Sequence, residues 1–251
     1  MTETAQLVRY VVEGPRASIT LDSQHNRNAL SRQLVHELFA ALEAAEADPA
    51  VRVVALLAAG PVFCSGADMS EATAEGMQDA ALTIVGLQHL IATMSKPVVT
   101  RVHGAVRAGG IGIVAASDIV IATDDSTFAL TEVKLGLAAA IISLTVHARM
   151  NPRAASLTTL TGRVFSGSQA AAYGLVTEAV PAIALNATLV EVCMELASGS
   201  PQGLRESKAI LNRDLVARID AHGAEMAALS ARLFASDEAR EAMTAFLNRQ
   251  K

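Results

Sequence analysis

The chain has 251 residues, 51% of them hydrophobic and 18% charged, with a formal net charge of -5 and a mean hydropathy of +0.36. That combination excludes a disordered chain, suits one large or two small domains, and lacks the basic footprint that nucleic acid requires. Val53–Ala59 is the longest apolar run, far below the ~20 residues of a membrane span, so no membrane is expected as a partner. The two cysteines, Cys64 and Cys193, form no framework or zinc ribbon. Together with the lack of a signal pattern in MTETAQLVRY, they point to a soluble protein of a reducing, cytoplasmic compartment.

Residues 7–13 and 17–21 are short β-branched runs parted by Gly14-Pro15, which predicts a hairpin. Residues 31–47 carry Leu34, Val35, Leu38, Leu42 and Ala45 at helical spacing, with Ser31 as N-cap and Asp48-Pro49 as the stop. Residues 51–58 read as a strand covered on both faces. A turn follows at Ala59-Gly60-Pro61. Residues 79–94 read as a helix, Pro97–Val102 as a second buried strand and Ile119–Ala122 as a third. This βαβ rhythm implies a mostly parallel sheet. Asn151-Pro152 and Ser200-Pro201 look like N-caps followed by Pro at N1. Ser236-Asp237-Glu238 opens a further helix with acids in its first turn. The last third is therefore read as helical. Its apolar positions Ile210, Leu211, Leu215, Met226, Leu229 and Leu233 are expected to pack across subunits.

No phosphate-binding GxxxxGK[ST], dinucleotide GxGxxG, HExxH or GxSxG motif occurs, and the six histidines lack metal-ligand spacing. No metal is expected. Two glycine-containing loops each follow a buried strand: GPVFCSGADM at 60–69 and HGAVRAGGIG at 103–112. Each can serve a tight turn. Each can also offer a backbone N–H to a shared ligand oxygen, since nothing blocks approach to a glycine backbone.

The ordered set of segments NRNALS at 26–31, FCSGADM at 63–69, KPVV at 96–99, HG at 103–104, AGG at 108–110, SDIVIA at 117–122, FALTEVKLG at 128–136, LTG at 160–162 and AAAYGLV at 170–176 resembles the enoyl-CoA hydratase/isomerase (crotonase) superfamily over nearly the whole chain. The resemblance implies an α/β fold, a spiral of ββα units with a C-terminal helical trimerisation region. It divides the chain into a core of residues 1–195 with the acyl-CoA site and a region of residues 196–251 that serves oligomerisation and covers the active site. The implied partners are an acyl-CoA thioester and further copies of the chain, as a trimer or dimer of trimers. No cofactor is implied beyond the coenzyme A carried by the substrate.

By position, the resemblance gives Ala67 and Gly109 as N–H donors to the thioester oxygen and Glu132 as acid/base. It places Arg27, Asn28, Ala29, Leu30, Gly66, Asp68, Met69, Gly110 and Gly112 around the substrate. Arg27 is either a phosphate contact or an exposed turn residue, and Asp68 and Asp118 read as turn or capping groups. Gly112 stands three residues after Gly109, where family hydratases commonly carry a second glutamate, and is expected to face the site. In the tail, Arg249 and Lys251 are open to a neighbour's coenzyme A phosphate or to fraying. The implied activity is addition of water to a 2-enoyl-CoA by a single glutamate. A Δ3,Δ2-isomerase, which needs one base, and a non-catalytic acyl-CoA-binding protein are the alternatives.

Overall fold

Two strands, β1 (Val8–Glu13) and β2 (Arg16–Leu21), make the predicted hairpin, with Val8 opposite Leu21 and Glu13 opposite Arg16. The computed structural model describes residues 5–68, 70, 71 and 76–248. From β2 onward the main sheet is parallel, through β3 (Val53–Ala58), β5 (Val98–Val102), β7 (Ile119–Thr123) and β10 (Glu178–Val180), in the order β1-β2-β3-β5-β7-β10. Both faces are covered, as the continuous apolar runs predict. Val54, Leu56 and Ala58 join the main core with Leu34, Leu38 and Leu42 of α1 (Arg32–Ala47). Val53, Ala55, Val99 and Ile121 face Leu185, Leu189 and Cys193 of α7 (Leu185–Ser198).

A second sheet escapes the sequence reading. Strands β4 (Val62–Cys64), β6 (Ala105–Arg107), β8 (Thr127–Ala129) and β9 (Phe165–Ser166) pair in that order. Each of β3, β5 and β7 is followed by one of the first three short strands. Helices α2 (Met77–Thr93) and α3 (Gly109–Ala116) complete the first two ββα units. Phe63, Phe128 and Phe165 are fully buried here, and the Phe128 and Phe165 rings stack at 5.6 Å. The 103–112 segment is accordingly a strand and a helix, not a loop.

The helical last third begins with α4 (Ala140–Arg149), α5 (Pro152–Thr161) and α6 (Gly167–Ala172). It ends with the 34-residue α8 (Pro201–Phe234) and α9 (Asp237–Asn248). The caps lie where the sequence puts them: Ser31 Oγ accepts from Leu34 N–H, Asn151 Oδ1 from Ala154 N–H and Ser200 Oγ from Gly203 N–H. The expectation for α8 needs correction. Leu215 and Ile219 pack inside the same chain against Val85 and Ala92 of α2 and Leu144 of α4, while Ile210 and Leu211 stay exposed. A buried polar cluster fastens this contact. Lys208 Nζ lies 2.8 Å from Asp118 Oδ2 and donates to the Ile91 and Lys96 carbonyls. Asn212 donates to Asp118 Oδ1, and Asp118 also accepts from Val98 N–H. Asp118 thus anchors a helix to the sheet, a larger role than a turn cap.

Candidate active site

The site grows from the ends of β2, β3 and β5. After β2 the chain makes a short 3-10 turn at Gln24–Asn26, and Arg27 and Asn28 take positive φ of 60° and 54°. The Asn28 side chain is buried and fully engaged. Its Nδ2 donates to the Ala59 and Val62 carbonyls, and its Oδ1 accepts from Ser23 N–H. The N–H groups of Asn28, Ala29 and Leu30 all donate within the chain, to Ser23, Asn26 and Gly66 carbonyls. A contact from this backbone to a ligand would therefore have to come from its carbonyl groups, since these three N–H groups are taken. Arg27 is exposed.

Leu30 forms an isolated parallel bridge with Ala67, so the 63–68 segment lies alongside 28–30. Asp68 accepts from Asn26 Nδ2, Ser70 N–H and Ser70 Oγ, and these bonds, Ser70's first, hold its carboxyl below the usual range. It is the turn residue anticipated. Met69 lies outside the described residues, as do Arg249 and Lys251. Pairing of β4 with β6 brings the second segment next to the first. A Cβ at Gly66 would lie 3.0 Å from Ala108 Cβ; one at Gly109, 2.9 Å from Leu30 Cδ1; one at Gly110, 2.7 Å from Cys64 Cβ. Ala67 is exposed and Gly109 half-buried. Among the described residues neither of their N–H groups has a protein acceptor. Gly109 is also the first residue of α3, where the helix dipole adds positive potential.

Glu132 opens a 3-10 turn, Glu132–Leu135, between β8 and α4. Its Oε2 is buried with no hydrogen-bond partner among the described residues. Burial pushes the carboxyl up to about 7, against the smaller opposing effect of its own backbone N–H. A partnerless buried carboxylate is costly to keep for structure alone, and such groups cluster at reaction sites. By contrast, burial drives the Cys64 thiol up to about 12, so it is no nucleophile. Among the described residues no cluster of three potential ligands could hold a metal ion. Among the described residues no helix is long and apolar enough to cross a membrane.

Gly112 departs from expectation. It is buried on the face of α3 that meets α4, and a Cβ there would lie 2.6 Å from Ile142 Cγ2 and 3.2 Å from Gln88 Oε1. Gln88 is itself fixed, donating to the Ile84 and Ile141 carbonyls and accepting from Thr145. The glycine permits close helix packing. A side chain at 112 would therefore run into Ile142. A depression of about 640 Å³ lies along the outer face of α7, lined by Asn186, Ala187, Val190, Glu191, Met194 and Glu195, none of them a residue of the site described above.

The sequence profile of the family described as enoyl-CoA hydratase/isomerase matches residues 15–251. The chain belongs to that family. Within this crotonase superfamily, it is 32% identical over 241 residues to the mevalonyl-coenzyme A hydratase of Aspergillus fumigatus, covering 93% of this chain and 88% of that one. It is 30% identical over 212 residues to the hydroxycinnamoyl-CoA hydratase-lyase of Pseudomonas fluorescens, covering 80% and 76%. The crystal structure of an enoyl-CoA hydratase from Mycobacterium avium superposes with a TM-score of 0.92 at 43% identity, covering 98% of each chain. The mixed α/β fold with a helical C-terminal region is that of the family. In this family context Ala108 is a residue that sequence reasoning overlooked. Its φ of 44° and ψ of −120° lie directly before Gly109, and an alanine carries no sequence signal for such a conformation.

Proposed function

We propose that this family member is an enoyl-CoA hydratase-type lyase that adds water to a 2-enoyl-CoA thioester with a single glutamate. The observation that carries the reading is Glu132, a buried carboxylate with a partnerless oxygen and a pKa near neutrality. In this reading the Ala67 and Gly109 N–H groups bind the thioester oxygen. Negative charge grows on that oxygen as water adds to C3, and each preorganised donor there is worth about 3–4 kcal/mol. Glu132 removes a proton from the water as its oxygen bonds to C3, then delivers that proton to C2, so both additions occur on one face. A carboxyl titrating near 7 suits both halves of this cycle. The proton balance closes on one residue, so no cofactor is needed beyond the coenzyme A of the substrate.

A second reading is favoured by the packing at Gly112. With Ile142 closing the second carboxylate position, a Δ3,Δ2-isomerisation needs only Glu132 to move one proton between C2 and C4. A panel of crotonyl-CoA, 3-methylglutaconyl-CoA and a 3-enoyl-CoA separates these. Hydration of any of them supports the lyase, migration of the double bond alone supports the isomerase, and tight binding without turnover would make the chain an acyl-CoA-binding protein. We also propose a trimer or dimer of trimers. The exposed Leu160 and Val164 near the Glu132 turn, and Ile210 and Leu211 on α8, are apolar surface available to other copies. Two free buried cysteines fit a reducing, cytoplasmic setting.

A further inference from the structure

Gly66 precedes Ala67 and Ala108 precedes Gly109, so each N–H assigned above follows a residue that touches the other's loop. Both stand at positive φ, +99° for Gly66 and 44° for Ala108. Glycine takes such angles freely, whereas an alanine near φ 44°, ψ −120° is strained. Strain of this kind persists only where the surroundings over-determine it. Glycine would be the easier residue at 108, and two glycines follow it directly. Keeping a Cβ there calls for something that the methyl does. The methyl bounds the space over Gly66: a Cβ built on Gly66 would lie 3.0 Å from it. Leu30 closes the frame from behind: its N–H donates to the Gly66 carbonyl, it bridges to Ala67, and its Cδ1 lies against Gly109.

We propose that Ala108 is a positioning residue whose methyl, wedged against Gly66, fixes the spacing and direction of the Ala67 and Gly109 N–H groups. The inference rests on the two-donor reading under Proposed function and deepens it. Donors act on a growing negative charge only if they are already aimed when the charge appears, because any reorientation adds to the barrier. A strained alanine locked against glycine gives each loop one arrangement. A glycine at 108 gives the backbone several.

The test compares Ala108→Gly with Ala108→Ser, which retains the Cβ. Binding of acetoacetyl-CoA and of S-butyl-CoA, a thioether with no carbonyl, is measured by calorimetry alongside turnover of the substrate found by the panel. In the parent chain, acetoacetyl-CoA is expected to bind at least ~10-fold tighter than the thioether, since only it offers an oxygen to the donors. Ala108→Gly is expected to lose most of that preference and to lower kcat by ~10–100-fold. Its thioether affinity and KM should stay within about threefold, and its Tm should not fall, because strain is relieved. Ala108→Ser should keep both preference and turnover. If Ala108→Gly retains the parent's preference and kcat, the positioning role is overturned while the two-donor site stands. If the parent chain itself shows no preference for the thioester, the two-donor reading fails, and the positioning role with it.

Discussion

Glu132 carries the account at the scale of single residues, and its burial makes two linked predictions. Glu132→Gln should leave acyl-CoA affinity nearly intact and lower kcat by about 10²–10⁴-fold, measured by steady-state kinetics with parallel calorimetry. The same change should stabilise the fold at pH 8. The folded carboxyl titrates near 7, whereas the unfolded one titrates near 4.5. Between those values the native state holds more protons, so stability falls as pH rises from 4.5 to 7 and stays lower above it. Removing the charge should recover on the order of 1–3 kcal/mol at pH 8 and nothing at pH 4, as thermal melts at the two values would read. Hydration by the parent chain should rise through pH 7 to a plateau as the base form fills. Glu132 was legible from FALTEVKLG. Gly112 was legible as a missing carboxylate, but not as a packing position, because its neighbour Ile142 lies 30 residues on and across a helix pair. Gly112→Glu is therefore expected to overpack against Ile142 and bury an unpaired charge. A loss of at least about 1–3 kcal/mol by denaturant melt, with no faster hydration, is the expected outcome. Faster hydration in a stably folded variant would show that the slot is open after all.

Among the elements, those with a long periodic pattern or a cap were visible in the sequence. The β1–β2 hairpin, α1 with Ser31, and the starts of α5 and α8 lie where composition and N-cap chemistry put them. The second sheet was not visible, since strands of two or three residues are shorter than any alternation can reveal. The seating of α8 was half visible. Its apolar residues were plain, but its buried stripe includes Lys208, Asn212, Leu215, Ile219 and Gly223, and a charged residue in a sequence reads as solvated until its partner is known. Burial lowers the Lys208 amine's pKa, and Asp118 opposes that shift. Lys208→Met would remove the ammonium beside the partly buried Asp118 carboxylate, which keeps its Asn212 and Val98 donors. Breaking a fully buried pair costs about 3–5 kcal/mol; the partial exposure of Asp118 lowers that figure, so the Tm of this variant should drop by a few degrees. Lys208→Met with Asp118→Asn should recover part of the loss. A Tm within a degree of the parent for Lys208→Met would mean that the pair contributes little.

For the whole molecule, the C-terminal region reaches back to the turn that carries Glu132. Gly136, just past the Glu132 turn, is so close to α9 that a Cβ there would lie 3.0 Å from Ala239 Cα. The last helix therefore packs on the turn that carries Glu132 within a single chain. We expect that assembly to be trimeric or hexameric, and light scattering should give three or six times 26.1 kDa; a monomer at micromolar concentration would refute it. Addition of water to a 2-enoyl-CoA through Glu132 is the reaction proposed for this family member. Its most direct test is to incubate crotonyl-CoA and 3-methylglutaconyl-CoA with the protein in ¹⁸O-labelled water and weigh the products. The account predicts a 3-hydroxyacyl-CoA carrying ¹⁸O from at least one substrate, formed by the parent chain and suppressed in Glu132→Gln. Unlabelled substrate returned in every case, or label incorporated equally by Glu132→Gln, would contradict it.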